Sequence, residues 1–181
     1  MNRLWEKALE EISSTLEQID AEQNEQFSKR LFDSGRIFCA AAGRSKMILS
    51  AFAMRMMHMG YQVHMVGDVT TPGISEGDTL LLVSGSGETR SLVAMAEKAE
   101  KTGTAVLLVT ANETSTLSGL SKAKVVLHSV SKLYNGEKSV QPGANRFEQS
   151  ALIYLDLLVA EYMSANNLSN EDMMKRHANL E

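Results

Sequence analysis

The sequence predicts a doubly wound α/β domain: a parallel five-stranded sheet with helices on both faces. Three observations carry this. Five short apolar runs recur along the chain, helical segments separate them, and the runs read as unbroken Val, Leu and Ala. Strands buried on both faces have that composition, whereas a half-solvated antiparallel sheet alternates apolar with polar residues. A chain of 181 residues is long enough for one such domain, which buries about 70% of its unfolded surface.

The elements follow in order. Residues 3–20 set Trp5, Ala8, Leu9, Ile12, Leu16 and Ile19 at helical spacing, with Glu6, Lys7, Glu10 and Glu17 opposite. A second helix, about 21–33, carries Phe27 and Leu31. Arg36 to Ala42 (RIFCAAA) is the first strand; Gly43-Arg44-Ser45 closes it, and a helix follows over about 46–59. Val63 to Val66 is the second strand and Thr79 to Val83 the third. A Ser/Gly loop and a helix to about Lys101 come next, and Gly103 stops that helix. Thr104 to Thr110 is the fourth strand, a short helix spans about 116–121, and Val125 to His128 is the fifth strand. A polar loop, about 129–143, precedes one long helix from Ala144 to Ala165. The chain thus divides into N-terminal helices (1–33), an α/β core (34–165) and a C-terminal tail (166–181), all within one domain, 1–181.

Composition excludes several classes. Hydrophobic residues are 44%, charged residues 22% and the net charge is -4, a globular profile. Lys and Arg cluster no further than pairs such as Lys29-Arg30 and Lys175-Arg176, so no basic stripe awaits nucleic acid. The lone Cys39 rules out an internal disulfide and suits a reducing, cytoplasmic setting. The N-terminus lacks an apolar signal core. The most lipid-like stretch, Ala151 to Met163, contains Asp156 and Glu161 and is too short to span a bilayer, so no membrane partner is expected.

In this architecture a ligand sits beyond the carboxyl ends of the strands, where strand order reverses. The loop after the third strand is Ser84-Gly85-Ser86-Gly87-Glu88-Thr89. Its glycines allow close backbone approach, its hydroxyls are neutral donors, and the helix behind it favours an anion. A nucleotide loop would need Gly-Lys, and the chain has none. A dinucleotide loop would need a third glycine where Arg90 stands. The loop therefore reads as a cradle for one phosphate, with a plain tight turn as the alternative.

Proton transfer beside a carbonyl needs a base. Glu148 heads the last long helix beside an apolar flank of Leu152, Leu155 and Val159. Burial there disfavours its charge, while the helix N-terminus favours it. A catalytic base and a simple complement to the helix dipole both fit. His177 lies near the chain end, where a histidine is ordinarily solvated; His58, His64 and His128 read as core or edge residues. The four show no zinc spacing, so no catalytic metal is expected. Arg55 among Met54, Met56, Met57 and Met59 fits an ion pair, an interface or plain core packing.

The segments A-A-G-R-S (41–45), S-E-G-D (75–78), S-G-S-G-E-T (84–89) and T-A-N-E-T-S-T-L (110–117) resemble the sugar isomerase (SIS) domain family over nearly the whole chain. Within it, F-A-M-R-M-M-H-M-G (52–60), F-E-Q (147–149) and H-A-N-L-E (177–181) are similar to the 6-phospho-3-hexuloisomerases. The resemblance implies a flavodoxin-like three-layer sandwich assembled as a homotetramer. It implies isomerisation of a small phosphosugar, 3-hexulose 6-phosphate to fructose 6-phosphate, with no metal or coenzyme. Under it, Ser84, Ser86 and Thr89 hold the phosphate, Gly85, Gly87 and Glu88 complete that substrate-binding loop, and Gly43, Arg44 and Ser45 line the sugar. Glu148 is the implied base and His177 the implied histidine that assists, from a neighbouring subunit. Gln141-Pro142-Gly143-Ala144-Asn145-Arg146 departs from the family's pattern, and so does Lys124. Another phosphosugar isomerase, acting on a pentose or heptose phosphate, and a non-catalytic sugar-phosphate-sensing module stand as alternatives.

Overall fold

The computed structural model describes residues 3–129 and 139–180, so residues 130–138 of the expected polar loop lie outside the described residues. Two helices, α1 (Leu4–Glu17) and α2 (Ala21–Phe32), lead into β1 (Arg36–Ala41), α3 (Arg44–Met59) and β2 (Gln62–Met65). Then come β3 (Thr79–Ser84), α4 (Arg90–Lys101), β4 (Ala105–Thr110), α5 (Thr116–Leu120) and β5 (Ala123–Val126). The long α6 (Asn145–Ala165) and a short α7 (Asn170–Met174) complete the chain.

All strand pairs are parallel, in the order β2-β1-β3-β4-β5. The chain moves outward one way from β1 to β2 and the other way from β3, so order reverses between β1 and β3. This is the flavodoxin-like order, and its crevice lies at that switch point. Successive side chains of a strand face opposite ways, and the core divides accordingly. Ile37, Cys39, Leu81, Val83, Leu107 and Val109 pack with α2, α3 and α6. Phe38, Ala40, Leu80, Leu82, Val106 and Leu108 pack with α4 and α5. Every residue of β3 is buried, which accounts for the unbroken run in the sequence.

Most boundaries fall within a residue or so of the sequence reading, and three differences have a clear physical reason. Helix α3 begins at Arg44 rather than near 46, because Gly43 serves as its N-cap. Strand β5 pairs over Ala123–Val126, two residues earlier than the apolar run suggested. Leu127 is buried and its N–H still reaches Thr110 O at 2.8 Å, so burial outlasts strand pairing. The segment read as a plain tail contains α7, held by a capping box between Ser169 and Asp172.

At the other end of the sheet, Arg36 Nη2 donates to Asp78 Oδ2 at 2.6 Å and its Nε to Oδ1 at 2.8 Å. Among the described residues no helix is long and apolar enough to cross a membrane.

Candidate active site

A cleft of about 1000 Å³ opens at the carboxyl ends of β1 and β3, on the switch point. Three segments wall it. The β1–α3 turn supplies Ala42, Gly43, Arg44 and Ser45; the β3–α4 loop supplies Val83 to Ser86, Glu88 and Thr89; the start of α6 supplies Asn145, Phe147 and Glu148. Residues 104 positions apart in sequence thereby meet across one opening.

Three helices begin at the cleft, and none has a side-chain cap. Gly43 of α3, Thr89 of α4 and Ala144 of α6 make no side-chain bond to their helices. Of the helices that begin elsewhere, α2, α5 and α7 are capped by Asp20, Ser115 and Ser169, while α1 has no side-chain cap. The first N–H groups of a helix have no acceptor within it. Left uncapped around a cleft, they and the positive helix ends suit an anionic ligand.

The Ser/Gly loop is built from its own contacts. Ser84 Oγ accepts from Gly87 N–H at 3.2 Å and stands 3.5 Å from Thr89 Oγ1, which gathers the hydroxyls on one side. Gly85 packs close to the Phe147 ring; a Cβ there would lie 3.0 Å from its Cδ1. Gly87 has φ +68°, and a Cβ would lie 2.0 Å from Ser115 Oγ. Gly87 does not line the cleft; it lets the loop fold tightly enough to form it. The Glu88 carboxylate accepts from Thr116 N–H and Oγ1, both at 2.8 Å. Those bonds pull its pKa below the usual carboxylate range and tie the loop to α5.

Glu148 is 8% exposed, at the floor of the cleft. Arg44 Nε donates to its Oε2 at 2.6 Å, and Arg44 Nη2 donates to Asn145 Oδ1 at 3.0 Å. The Arg44 side chain is largely exposed, so it reaches over the floor from the solvent side. Glu148 Oε1 makes no hydrogen bond among the described residues. The arrangement puts a carboxylate oxygen, a guanidinium and a set of neutral hydroxyl donors around one opening.

His177 lies elsewhere in this chain. Its ring stacks on His58 with centroids 5.1 Å apart, at the far end of α3. Arg44 and His58 are 14 positions apart on that helix, about 21 Å at 1.5 Å per residue. Burial lowers the His58 pKa, and His177 and Arg55 add to this. Arg176 fixes the tail there, donating from Nη1 to His58 O at 3.3 Å. Arg55 pairs with Asp156 of α6 at 3.7 Å, both half-exposed, which answers its place among the methionines. Cys39 is buried and its thiol pKa is pushed up to about 12, so it takes no part.

Sequence reasoning missed Asn145 as a cleft residue. It also missed the contacts that α1 makes with the segment before α6. Glu11 accepts from Ser139 Oγ at 2.6 Å, Val140 N–H at 2.8 Å and Gln141 Nε2 at 3.0 Å. No spacing rule joins residues that far apart. Among the described residues, no group of three or more His, Cys, Asp or Glu is placed to hold a metal.

Comparison with known proteins bears on the same region. The SIS domain family matches residues 30–138. The chain is 38% identical to a 3-hexulose-6-phosphate isomerase of Mycobacterium gastri, over 95% of this chain and 87% of that protein. It is 37% identical to the 3-hexulose-6-phosphate isomerase of Bacillus subtilis, over 96% of this chain and 95% of that one. Among solved structures, a hypothetical protein of Methanococcus jannaschii superposes with a TM-score of 0.80 at 30% identity, covering 96% of this chain and 98% of that one. Its crystal structure was described as inferring a molecular function of 3-hexulose-6-phosphate isomerase. With the matched segment reaching from the end of α2 through β5, and relatives aligned along nearly the whole chain, this protein belongs to the SIS domain family.

Proposed function

We propose that the chain interconverts D-arabino-3-hexulose 6-phosphate and D-fructose 6-phosphate through a cis-enediol. The observation that carries this is the buried Glu148 carboxylate, bonded by Arg44, in the same cleft as the hydroxyl loop. Relatives that bear the name of this activity support the choice of sugar. The reaction would serve formaldehyde capture by the ribulose monophosphate route, in the cytoplasm.

In the mechanism, the uncapped start of α4 with Ser84, Ser86 and Thr89 anchors the phosphate. Anchoring the C6 phosphate sets where C2 and C3 lie relative to Glu148, and positioning of this kind supplies much of an enzyme's acceleration. Glu148 takes the proton from C2 of the 3-ketose. The C2–H electron pair becomes the C2–C3 double bond, and the C3 carbonyl oxygen takes up a proton to give the enediol. The O2 hydroxyl then gives up its proton as the C2 carbonyl forms, and C3 receives the proton held on Glu148. Arg44, whose guanidinium can only donate, stabilises the oxygen that carries negative charge in between. No redox partner is needed, because the two carbons exchange oxidation level. General acid–base catalysis by one such group is worth about 10²–10⁴-fold.

The assembly completes the reading. Helices α1, α3 and α6 turn Trp5, Leu9, Met54, Met57, Ile153 and Leu157 outward. Exposed apolar side chains on neighbouring helices favour burial against further copies, and we propose a homotetramer. His177, remote from Glu148 in its own chain, would serve the cleft of a neighbouring subunit.

The test is a coupled assay following fructose 6-phosphate formation from 3-hexulose 6-phosphate, beside arabinose 5-phosphate and sedoheptulose 7-phosphate. Turnover of the hexulose phosphate alone supports the proposal. Turnover of a pentose or heptose phosphate instead moves the activity elsewhere in the family. Thermal stabilisation by these sugars without turnover of any would make the chain a sensor.

A further inference from the structure

Two polar side chains before and at the start of α6 link α1 to the cleft floor, and each is oriented by the groups at its ends. Gln141 is buried, and its Nε2 donates to Glu11 Oε2 at 3.0 Å. Its Oε1 accepts from Asn145 Nδ2 at 3.2 Å. Asn145 Oδ1 in turn accepts from Arg44 Nη2 at 3.0 Å, and Arg44 Nε donates to Glu148 Oε2 at 2.6 Å. A carboxylate only accepts and a guanidinium only donates. Glu11 at one end and Arg44 at the other therefore permit one orientation of both amides. Asn145 must turn its oxygen, not its nitrogen, towards Arg44.

We propose that Glu11 is a positioning residue for the isomerisation, acting through Gln141 and Asn145 to hold Arg44 against Glu148. Glu11 is suited to this because it is fixed itself. Burial of its carboxylate is outweighed by Ser139, Val140, Gln141 and the Arg146 charge, which together keep it ionised. Arg146 anchors the same joint by donating from Nε to Thr15 Oγ1 at 2.8 Å. A neutral amide at position 11 presents a donor as readily as an acceptor, so the two amides lose their imposed direction. Arg44 is then free to swing into solvent, where most of its side chain already lies.

The inference rests on the proposed reaction for its kinetic arm only. Glu11→Gln is expected to lower kcat roughly tenfold to a hundredfold, as misplacement of a reacting group does. KM should stay within about twofold, since the phosphate anchor is untouched. The double variant with Asn145→Ala should be no slower than Asn145→Ala alone, because both cut one chain. Titration with fructose 6-phosphate, by its stoichiometry, separates this from a loss of folded sites. The second arm needs no turnover: hydrogen exchange at the Arg44 Nε–H, followed by NMR, should be faster in Glu11→Gln than in the unaltered protein. If Glu11→Gln does not fold, Gln141→Met carries the same expectations, since it leaves Glu11 its bonds to Ser139 and Val140. Unchanged Arg44 exchange, or losses of kcat that multiply in the double variant, would overturn the inference. An inactive unaltered protein whose Arg44 exchange still responds to Glu11 would overturn the reaction and leave the positioning standing.

Discussion

Gly87 shows how a residue's use differs from its appearance in sequence. It sits in a Ser/Gly loop and reads as a phosphate ligand, yet it stays off the cleft and is needed for its φ of +68° and its contact with Ser115. Gly87→Ala should cost about 1–3 kcal/mol through backbone strain, measured by urea unfolding; an unchanged midpoint would show that the loop relaxes. Asp78 governs a different response. The Arg36 guanidinium holds the Asp78 carboxyl below its ordinary range, against the opposing effect of burial. A folded-state pKa below the unfolded one stabilises the fold above the unfolded value, and that contribution is lost as pH falls through the folded value. Stability of the unaltered protein should therefore fall on acidification below about pH 4, and Asp78→Asn should flatten that part of the profile. Equal slopes in the two proteins would remove the pair from acid stability. Neither residue's role was legible in sequence, because Ser115 and Arg36 are distant partners.

At the scale of elements, most was legible where burial is two-sided. The strands β3 and β4 read correctly because each of their faces packs under helices. Edge strand β5 read two residues late: Lys124, half-exposed, masks its start, and buried Leu127 extends its apparent end. The signal for α7 was present as Ser169-x-x-Asp172 and went unused. That cap has a consequence for the tail, because α7 delivers Arg176 to the His58 carbonyl. Ser169→Ala should weaken α7 by about 1 kcal/mol and raise hydrogen exchange across 170–176, with the exchange of α6 unchanged. If 170–176 exchange no faster, the cap is not what holds the tail. The uncapped starts of α3, α4 and α6 were beyond sequence reasoning, since Thr89 looks like a good cap but makes no cap bond.

At the scale of the molecule, the domain class was legible and the strand order was not. Reversal between β1 and β3 decides which loops meet, and so brings Gly43-Arg44-Ser45 beside Ser84 to Thr89. The Arg44–Glu148 pair depends on that topology. Single residues could be nominated from motif and helix position; their pairing could not. The outward Met54 of α3 and Leu157 of α6 set the expectation for assembly. Met54→Asp with Leu157→Asp should split the proposed tetramer in sedimentation, with the secondary structure kept. If His177 serves a neighbour, activity should fall with the mass; a dissociated yet fully active protein would separate His177 from the mechanism.

The central claim is that Glu148 moves the proton between C2 and C3. Glu148→Gln keeps the side chain's shape and removes its basicity. It should lower turnover of 3-hexulose 6-phosphate by about 10²–10⁴-fold while fructose 6-phosphate binds as tightly as before. A Glu148→Gln protein that binds the sugar and turns it over at the unaltered rate would contradict the account.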